Sequence, residues 1–344
     1  MTDGKPDPAT FYDRISERSL LPLWVNTKNF VPWEPAPSYD AALWKYPELR
    51  ALLMEAGGIV TPEEASRRVL VLQNPALDGY QGTTRTLYAC LQLILPGESA
   101  PEHRHTQSAL RLIMEGEGAV TTVDGERIPM APGDFIVTPS WTWHGHRHDG
   151  GTPMIWLDGL DNGLMAMLDT TFFEPGRAEG VANAAPRAEG DNEARWGAAM
   201  RPFAGTVSGA TSPLVRYAYK DARAALGRLR DAGDADPCHG HRMEFVNPAT
   251  GAAAMPTMTT TLMLLERGFD GRPYRSTDGV VFAVVEGEGE TVVGGRTLRW
   301  EAHDVFVVPS WAEHSHRAAA ESVLFSFSDR VVQQKLGVWR EARG

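Results

Sequence analysis

The sequence predicts an all-β-dominated chain: two jelly-roll barrels, preceded by a helical N-terminal region and separated by helices. Two observations carry that expectation. Short apolar runs punctuated by Gly and Pro fill residues 81–170 and 243–328, the pattern of many short strands rather than of alternating strands and helices. The two stretches also repeat one another. Met114–Gly118 returns as Val285–Gly289, Gly133–Trp141 as His303–Trp311, and His144-Gly145-His146-Arg147 as His314-Ser315-His316-Arg317. The offset is 171 residues at the first match and 170 at the others, so one deletion separates the copies. Self-similarity of this kind argues for two domains more strongly than length alone.

Element by element, residues 1–80 form an N-terminal region in which Phe11–Leu20 and Ser38–Gly57 read as helices. Between them Trp24, Phe30, Val31, Pro32 and Trp33 make an apolar arm. Such side chains are expected to pack on a neighbouring domain or subunit, since leaving one in water forfeits about 1.5–3 kcal/mol. Arg68–Leu72 reads as a strand feeding the first barrel, residues 81–170. Strands are expected there over Leu87–Leu95, His103–Met114, Ala119–Val123, Glu126–Met130, Phe135–Thr138 and Met154–Asp158, with Asp124-Gly125 turning a hairpin. Residues 171–242 read as a linker, Ala-, Pro- and charge-rich over Ala182–Asp191 and helical over Ser212–Asp231. The second barrel spans 243–328 and turns at Gly294-Gly295; a tail, 329–344, carries a short helix over Val331–Trp339.

Bulk properties narrow the partners. The 344 residues carry a net charge of −11 with scattered Lys and Arg, which argues against a nucleic-acid or anionic-membrane surface. Two cysteines, Cys90 and Cys238, are too few for a disulfide framework and suit a reducing compartment. Met1–Asp7 lacks the basic-then-apolar order of a secretory leader. No apolar run approaches the roughly 20 residues that cross a bilayer. A cytoplasmic location is expected.

The chemistry concentrates in the first copy. His103 and His105, one residue apart on an extended segment, point to the same face. His144 follows 39 residues after His105, and a strand-borne third imidazole closes a three-nitrogen facial cap on one divalent ion. Such a cap leaves three positions open, enough for a chelating substrate and O2. The repeat offset aligns His103 with Tyr274 and His105 with Ser276, so only the first barrel is expected to hold metal. Three neutral imidazoles leave the ion its full charge, which a substrate with a carboxylate and an ortho phenolate would neutralise. Iron(II) can pass electrons to O2; zinc cannot.

Gly97-x5-His103-x-His105 and Gly133-x5-Pro139-x4-His144 resemble the two cupin motifs. The first motif's glutamate is missing, with Ala109 and Leu110 in its window, and Trp141 replaces the second motif's glycine. The string His103–Arg111, with Trp143-His144-Gly145-His146 and a degenerate second cupin, resembles gentisate 1,2-dioxygenases and their salicylate and 1-hydroxy-2-naphthoate relatives. Arg67–Leu70 and Asn247–Gly251 extend the resemblance over most of the chain. It implies a bicupin homotetramer with one Fe(II) per subunit in the N-terminal barrel. The implied activity is opening of an aromatic acid between its carboxyl- and hydroxyl-bearing carbons with both atoms of O2; for gentisate the product is maleylpyruvate.

Further site residues follow from strand parity and from the resemblance. If His103–Ile113 is one strand, Gln107 and Arg111 share the ligand face. An arginine there needs an anion, either a substrate carboxylate held by its fork or a structural acid. The resemblance implies the carboxylate for Arg111 and a second arginine at Arg67, although Arg68 is adjacent. His146, two residues beyond His144, is expected beside the metal as a proton carrier or substrate contact; its persistence as His316 is the argument for a structural role instead. Gln92 and Asp158 match pocket-lining positions of the family, Asp158 with a catalytic role, and Tyr88 shares the face of Gln92. His148 reads as a turn residue, and the His-x-His of Cys238–His241 as a loop without a third ligand. Rival readings are a zinc or manganese cupin isomerase or hydrolase and a non-enzymatic bicupin that binds small molecules. Metal analysis and O2 uptake separate them.

Overall fold

Four antiparallel sheets, two per repeat, make the body of the molecule in the computed structural model. It describes residues 7–25, 31–65, 67–77, 79–177, 181–198, 200–203, 209–233 and 235–344. Phe30 of the arm and Met1–Pro6 lie outside the described residues. The chain divides after Ala36 into an N-terminal unit and the body, Pro37–Gly344. In the N-terminal unit a helix runs over Pro8–Ser16, shorter than Phe11–Leu20 and starting earlier. Asp7 caps it, accepting from the Ala9 and Thr10 amides, and Pro8 occupies the first turn. Trp24 Nε1 donates to the Tyr12 hydroxyl at 3.1 Å.

The first barrel pairs a six-stranded sheet with a five-stranded one. The former runs in the order Arg216–Tyr217, Phe135–Thr138, Ala109–Glu115, Met154–Leu160, Tyr88–Ile94, Arg68–Val71. The latter runs Phe173–Pro175, Ser99–His105, His144–His148, Ala119–Val123, Glu126–Pro129. The second barrel repeats this. Its larger sheet is Ala42–Trp44, Val305–Val308, Val280–Glu286, Ser322–Ser328, Thr259–Leu265, His241–Glu244. Its smaller sheet is Arg296–Glu301, Glu288–Val293, His314–Ala318, Tyr274–Ser276, Glu341–Arg343.

The larger sheets pack on each other. Leu91, Leu110, Leu112, Val137 and Leu157 of the first share one core with Leu262, Leu264, Val281, Val307, Phe325 and Phe327 of the second. Their other faces line separate barrel interiors, around Ile113, Ile136 and Trp156 in one and Phe282, Trp300 and Phe306 in the other. A sheet buried on both faces has no solvent side to pattern, which explains continuous apolar runs such as Tyr88–Ile94 and Val280–Glu286. Gln92, Arg111 and Asp158 are polar exceptions in the first of these sheets, each buried.

The repeat begins earlier than the sequence suggests. Ala42–Trp44, expected as helix, is a strand that pairs with Val305–Val308 of the second barrel. Its counterpart Arg216–Tyr217, also expected as helix, pairs with Phe135–Thr138 of the first. Each repeat thus lends its leading strand to the other barrel. A helix follows in both, Tyr46–Ile59 and Tyr219–Asp231. Its first amide is accepted by the same repeat aspartate, Asp304 for Tyr46 (2.8 Å) and Asp134 for Tyr219 (2.9 Å), where an anion suits a helix N-terminus. Asp304 also pairs with Lys45 and Asp134 with Arg216.

Three further differences are local. His103–Met114 is two strands, broken at Thr106–Ser108 where the chain crosses from one sheet to the other. The tail helix ends at Lys335, and Glu341–Arg343 becomes an edge strand beside Tyr274–Ser276. Asp124 and Gly125 both adopt positive φ, as the hairpin requires. No helix among the described residues is long and apolar enough to cross a membrane.

Candidate metal centre

His103, two residues before the end of the strand Ser99–His105, lies directly opposite His144, the first residue of His144–His148, and alternation puts His105 on the same side as His103. One nitrogen from each of the three lies within 4.8 Å of the others, close enough for a single ion to reach all three. Among the described residues this is the one such cluster of His, Cys, Asp or Glu. Backbone carbonyls orient two of the rings. His105 Nδ1 meets Gln107 O and His144 Nδ1 meets Thr142 O, each at 2.9 Å. Nδ1 is therefore the protonated nitrogen, and the Nε2 lone pair is left for a metal.

Electrostatics keep the rings neutral. Burial, then the charge of Arg67, lowers His103 to about 3. Burial lowers His105 to about 4 against the opposing hydrogen bond to Gln107, and it holds His144 well below the usual range. Neutral, buried imidazoles with no carboxylate among them fit a divalent transition metal. The missing cupin glutamate has no substitute within the cluster.

The strands that carry the histidines are tied to the turn between Thr138 and His144. The Trp141 amide donates to His105 O at 2.7 Å, from a residue at φ 58°. This is where the cupin motif carries glycine, and the tryptophan keeps the left-handed backbone at a cost of about 1–2 kcal/mol. Arg104 anchors the same corner, its guanidinium 4.6 Å and 4.5 Å from the rings of Trp141 and Trp143.

The opposite wall carries the charges. Arg111 and Asp158 are cross-strand partners, both nearly fully buried, with Arg111 Nε 3.2 Å from Asp158 Oδ1. The two atoms lie off the line of a hydrogen bond, and neither has another partner. Arg111 Nη1 donates to Thr138 Oγ1, and Trp156 Nε1 donates to Asp158 Oδ2 at 2.9 Å. Burial raises Asp158 to about 6 despite Arg111, and it lowers Arg111 despite Asp158. Arg111 thus has a structural acid beside it, one of its two expected partners, yet the ion pair leaves hydrogen-bonding capacity on both sides.

Arg67 is the second guanidinium. Its Nη2 donates to Pro101 O at 2.7 Å and lies against His103 Nδ1. No carboxylate pairs with it among the described residues, and burial followed by Arg111 lowers it to about 10. Arg68 turns the other way, into a bidentate pair with Glu98, which settles which of the two faces the site. Two arginines against one aspartate leave the pocket one positive charge in excess before any metal is counted.

His146 is buried beside Trp156, ring centroids 4.8 Å apart, and neither ring nitrogen has a partner. Burial, then Arg111 and Arg67, hold its pKa well below the ordinary value. Gln92 and Gln107 are buried, and Tyr88 is half-buried with its hydroxyl pushed up to about 12. Gln92 and Tyr88 line the face that carries Asp158, whereas Gln107 falls in the turn between strands rather than on a shared strand. His148 corrects the turn reading: it is fully buried, with Nε2 against Thr152 O and Nδ1 accepting from the Gly150 amide. Thr138 and Trp156 were not foreseen. Trp156 lies two residues before Asp158 on one strand face, a spacing that signals the contact.

Comparisons with known proteins agree with this geometry. The cupin domain family profile matches residues 90–159 and 261–326, the two repeats. Gentisate 1,2 dioxygenase 1 of Aquipseudomonas alcaligenes is 48% identical over 97% of this chain and 95% of its own. Gentisate 1,2-dioxygenase of a Streptomyces species is 37% identical over 97% and 94%. The crystal structure of salicylate 1,2-dioxygenase from Pseudoaminobacter salicylatoxidans as an adduct with gentisate superposes with a TM-score of 0.92. It is 34% identical and covers 100% of this chain and 95% of the other.

Proposed function

The chain belongs to the gentisate 1,2-dioxygenase family of ring-cleaving bicupin dioxygenases, and from that premise we propose that it opens gentisate between the carboxyl- and hydroxyl-bearing carbons with Fe(II) and O2. One observation carries the reading. Three neutral imidazoles converge in a pocket that also holds two arginines and one aspartate, a charge balance that asks for one more anion. The carboxylate of an aromatic acid supplies it.

His103, His105 and His144 would hold the iron, which when bound supplies electrons to O2 and adjacent positions for the substrate's carboxylate and ortho hydroxyl. Arg111 and Arg67 receive the carboxylate with charge-assisted hydrogen bonds, fixing the ring in one orientation. Asp158 acts through Arg111: anchored by the Trp156 N–H, it holds the guanidinium in place. His146 is a poor resting place for a proton, because burial and two arginines disfavour its imidazolium. It serves instead as a neutral hydrogen-bond partner, steering the proton that leaves the hydroxyl oxygen. Gln92, Gln107 and Tyr88 complete the substrate pocket.

Salicylate is the second reading. The salicylate dioxygenase that superposes here carries gentisate in its crystal, which supports a reading in which a pocket of this shape takes either acid. The exposed Leu20, Leu21, Trp24 and Trp33 fit burial in a homo-oligomer, a tetramer on the family pattern, and two free cysteines fit the cytoplasm. Oxygen uptake by anaerobically iron-loaded enzyme tests the reading with gentisate, salicylate and 1-hydroxy-2-naphthoate. One O2 per gentisate is expected; no uptake with any of the three overturns it.

A further inference from the structure

The second barrel contains a cavity of about 710 Å³ that the dioxygenase reading leaves unused. Its lining includes Arg242 and Glu244 from one edge strand, Thr259 and Thr261 from the next, and His239, Tyr274 and Arg330. Three of its polar groups have unused donors, and two of them, His239 and Thr259, are buried without any partner. His239 is 5% exposed and neither ring nitrogen is bonded; Thr259 is 4% exposed with its hydroxyl unpaired. Arg242 Nε donates to Thr261 Oγ1 at 3.1 Å, and among the described residues no carboxylate pairs with its guanidinium, leaving both Nη groups free.

Unsatisfied groups at such depth cost free energy unless something fills the space. All three offer donors. Arg242 presents two N–H groups in a fork, Thr259 a hydroxyl, and His239 the one N–H that either neutral tautomer retains. The charges specify the guest. Arg343 is paired with Asp236 at 2.5 Å, and Arg330 stacks on Trp339 at 4.1 Å without a carboxylate. Over the lining side chains, Arg242, Arg330 and Arg343 against Asp236 and Glu244 leave one net positive charge, with Glu341 behind Arg343 and Tyr274. The volume suits a small organic molecule, and Tyr274, edge-on to His239 at 4.4 Å, offers an aromatic wall.

We propose that the second barrel binds a small organic monocarboxylate in this cavity, its carboxylate received by Arg242, Thr259 and His239. The site is separate from the metal pocket, and its existence does not rest on the iron chemistry proposed above.

Benzoate is the probe, since it lacks the ortho hydroxyl that chelation requires. Calorimetric titration into iron-loaded enzyme should show that R242Q loses one equivalent of benzoate per chain relative to wild type, or binds it at least tenfold more weakly, whatever the first barrel retains. T259V should weaken the same equivalent about three- to tenfold. Its ligand-free Tm should not fall, because the deleted hydroxyl has no partner. T259V alone decides the matter if R242Q fails to fold. Identical isotherms for wild type and T259V, or inorganic phosphate binding as tightly as benzoate, overturn the proposal.

Discussion

The two barrels share a backbone and have opposite interiors. Strand register equates Arg111 with Phe282 and Asp158 with Ser326; the repeat offset equates His103 with Tyr274 and His105 with Ser276. Where the first barrel keeps a buried ion pair, the second stacks Phe282 on Phe306 at 4.9 Å. The sharpest contrast lies in a residue both retain. In the second barrel Thr291 meets His316 Nδ1 at 2.9 Å and also accepts from Trp300 Nε1. In the first, Thr121 turns to Gly145 O at 3.2 Å and His146 has no partner. At this position one copy bonds its buried imidazole to a threonine of its own, while the other leaves both ring nitrogens unpaired. Buried unsatisfied groups are rare in folded proteins, and in the first barrel those of Arg111, Asp158 and His146 accompany the three-histidine cluster.

Mutations that pit the copies against each other test this contrast. The largest effect belongs to His105→Ala. With two imidazoles left, bound iron should drop to background and turnover with it, by more than about a thousandfold, as read by elemental analysis beside oxygen uptake. Arg111→Ala should keep its iron yet lose about 2–4 kcal/mol of carboxylate binding, seen mainly as a higher KM. An unchanged KM would remove Arg111 from the substrate site.

Asp158→Asn comes next, with kcat/KM about tenfold lower. Its more diagnostic effect is on pH. Burial raises this carboxyl to about 6, so below that pH it is protonated and Arg111 loses its anionic partner. The wild-type profile should fall on its acid side at or below about pH 6, the positive metal pulling the midpoint down, and the asparagine variant should lack that limb. For stability the sign is opposite. A folded pKa above the unfolded value means that the buried charge weakens the fold as pH rises from about 4 to 6, and the asparagine variant should lose that dependence. The smallest catalytic effect is that of His314→Ala. Iron content and kcat should match wild type while Tm drops by a few degrees, since the ring is buried and bonded only to Ala312 O.

Much of the barrel was legible because its signals are local. Phe135–Thr138 and Ala119–Val123 fall on their expected residues, and the clustering of His103, His105 and His144 is legible from spacing because a strand's period is two. What escaped depends on distant partners. Ala42–Trp44 and Arg216–Tyr217 are three and two residues long, too short to show alternation, and each pairs with the barrel of the other repeat. Pro47, in the first turn of its helix, was the available sign that the helix starts late. The break at Thr106–Ser108 was hidden because neither Gly nor Pro marks the corner. The Arg111–Asp158 pair escaped because only the fold sets one strand beside the other; sequence parity placed Arg111 inside but not its neighbour.

Iron K-edge X-ray absorption on anaerobically reconstituted enzyme, with metal content measured on the same samples, tests the asymmetry of the barrels most directly. The account predicts one iron per chain with three imidazole nitrogens, a signal lost in His105→Ala and unchanged in His314→Ala. A second iron per chain, a protein carboxylate in the substrate-free coordination shell, or a signal that survives His105→Ala would contradict it.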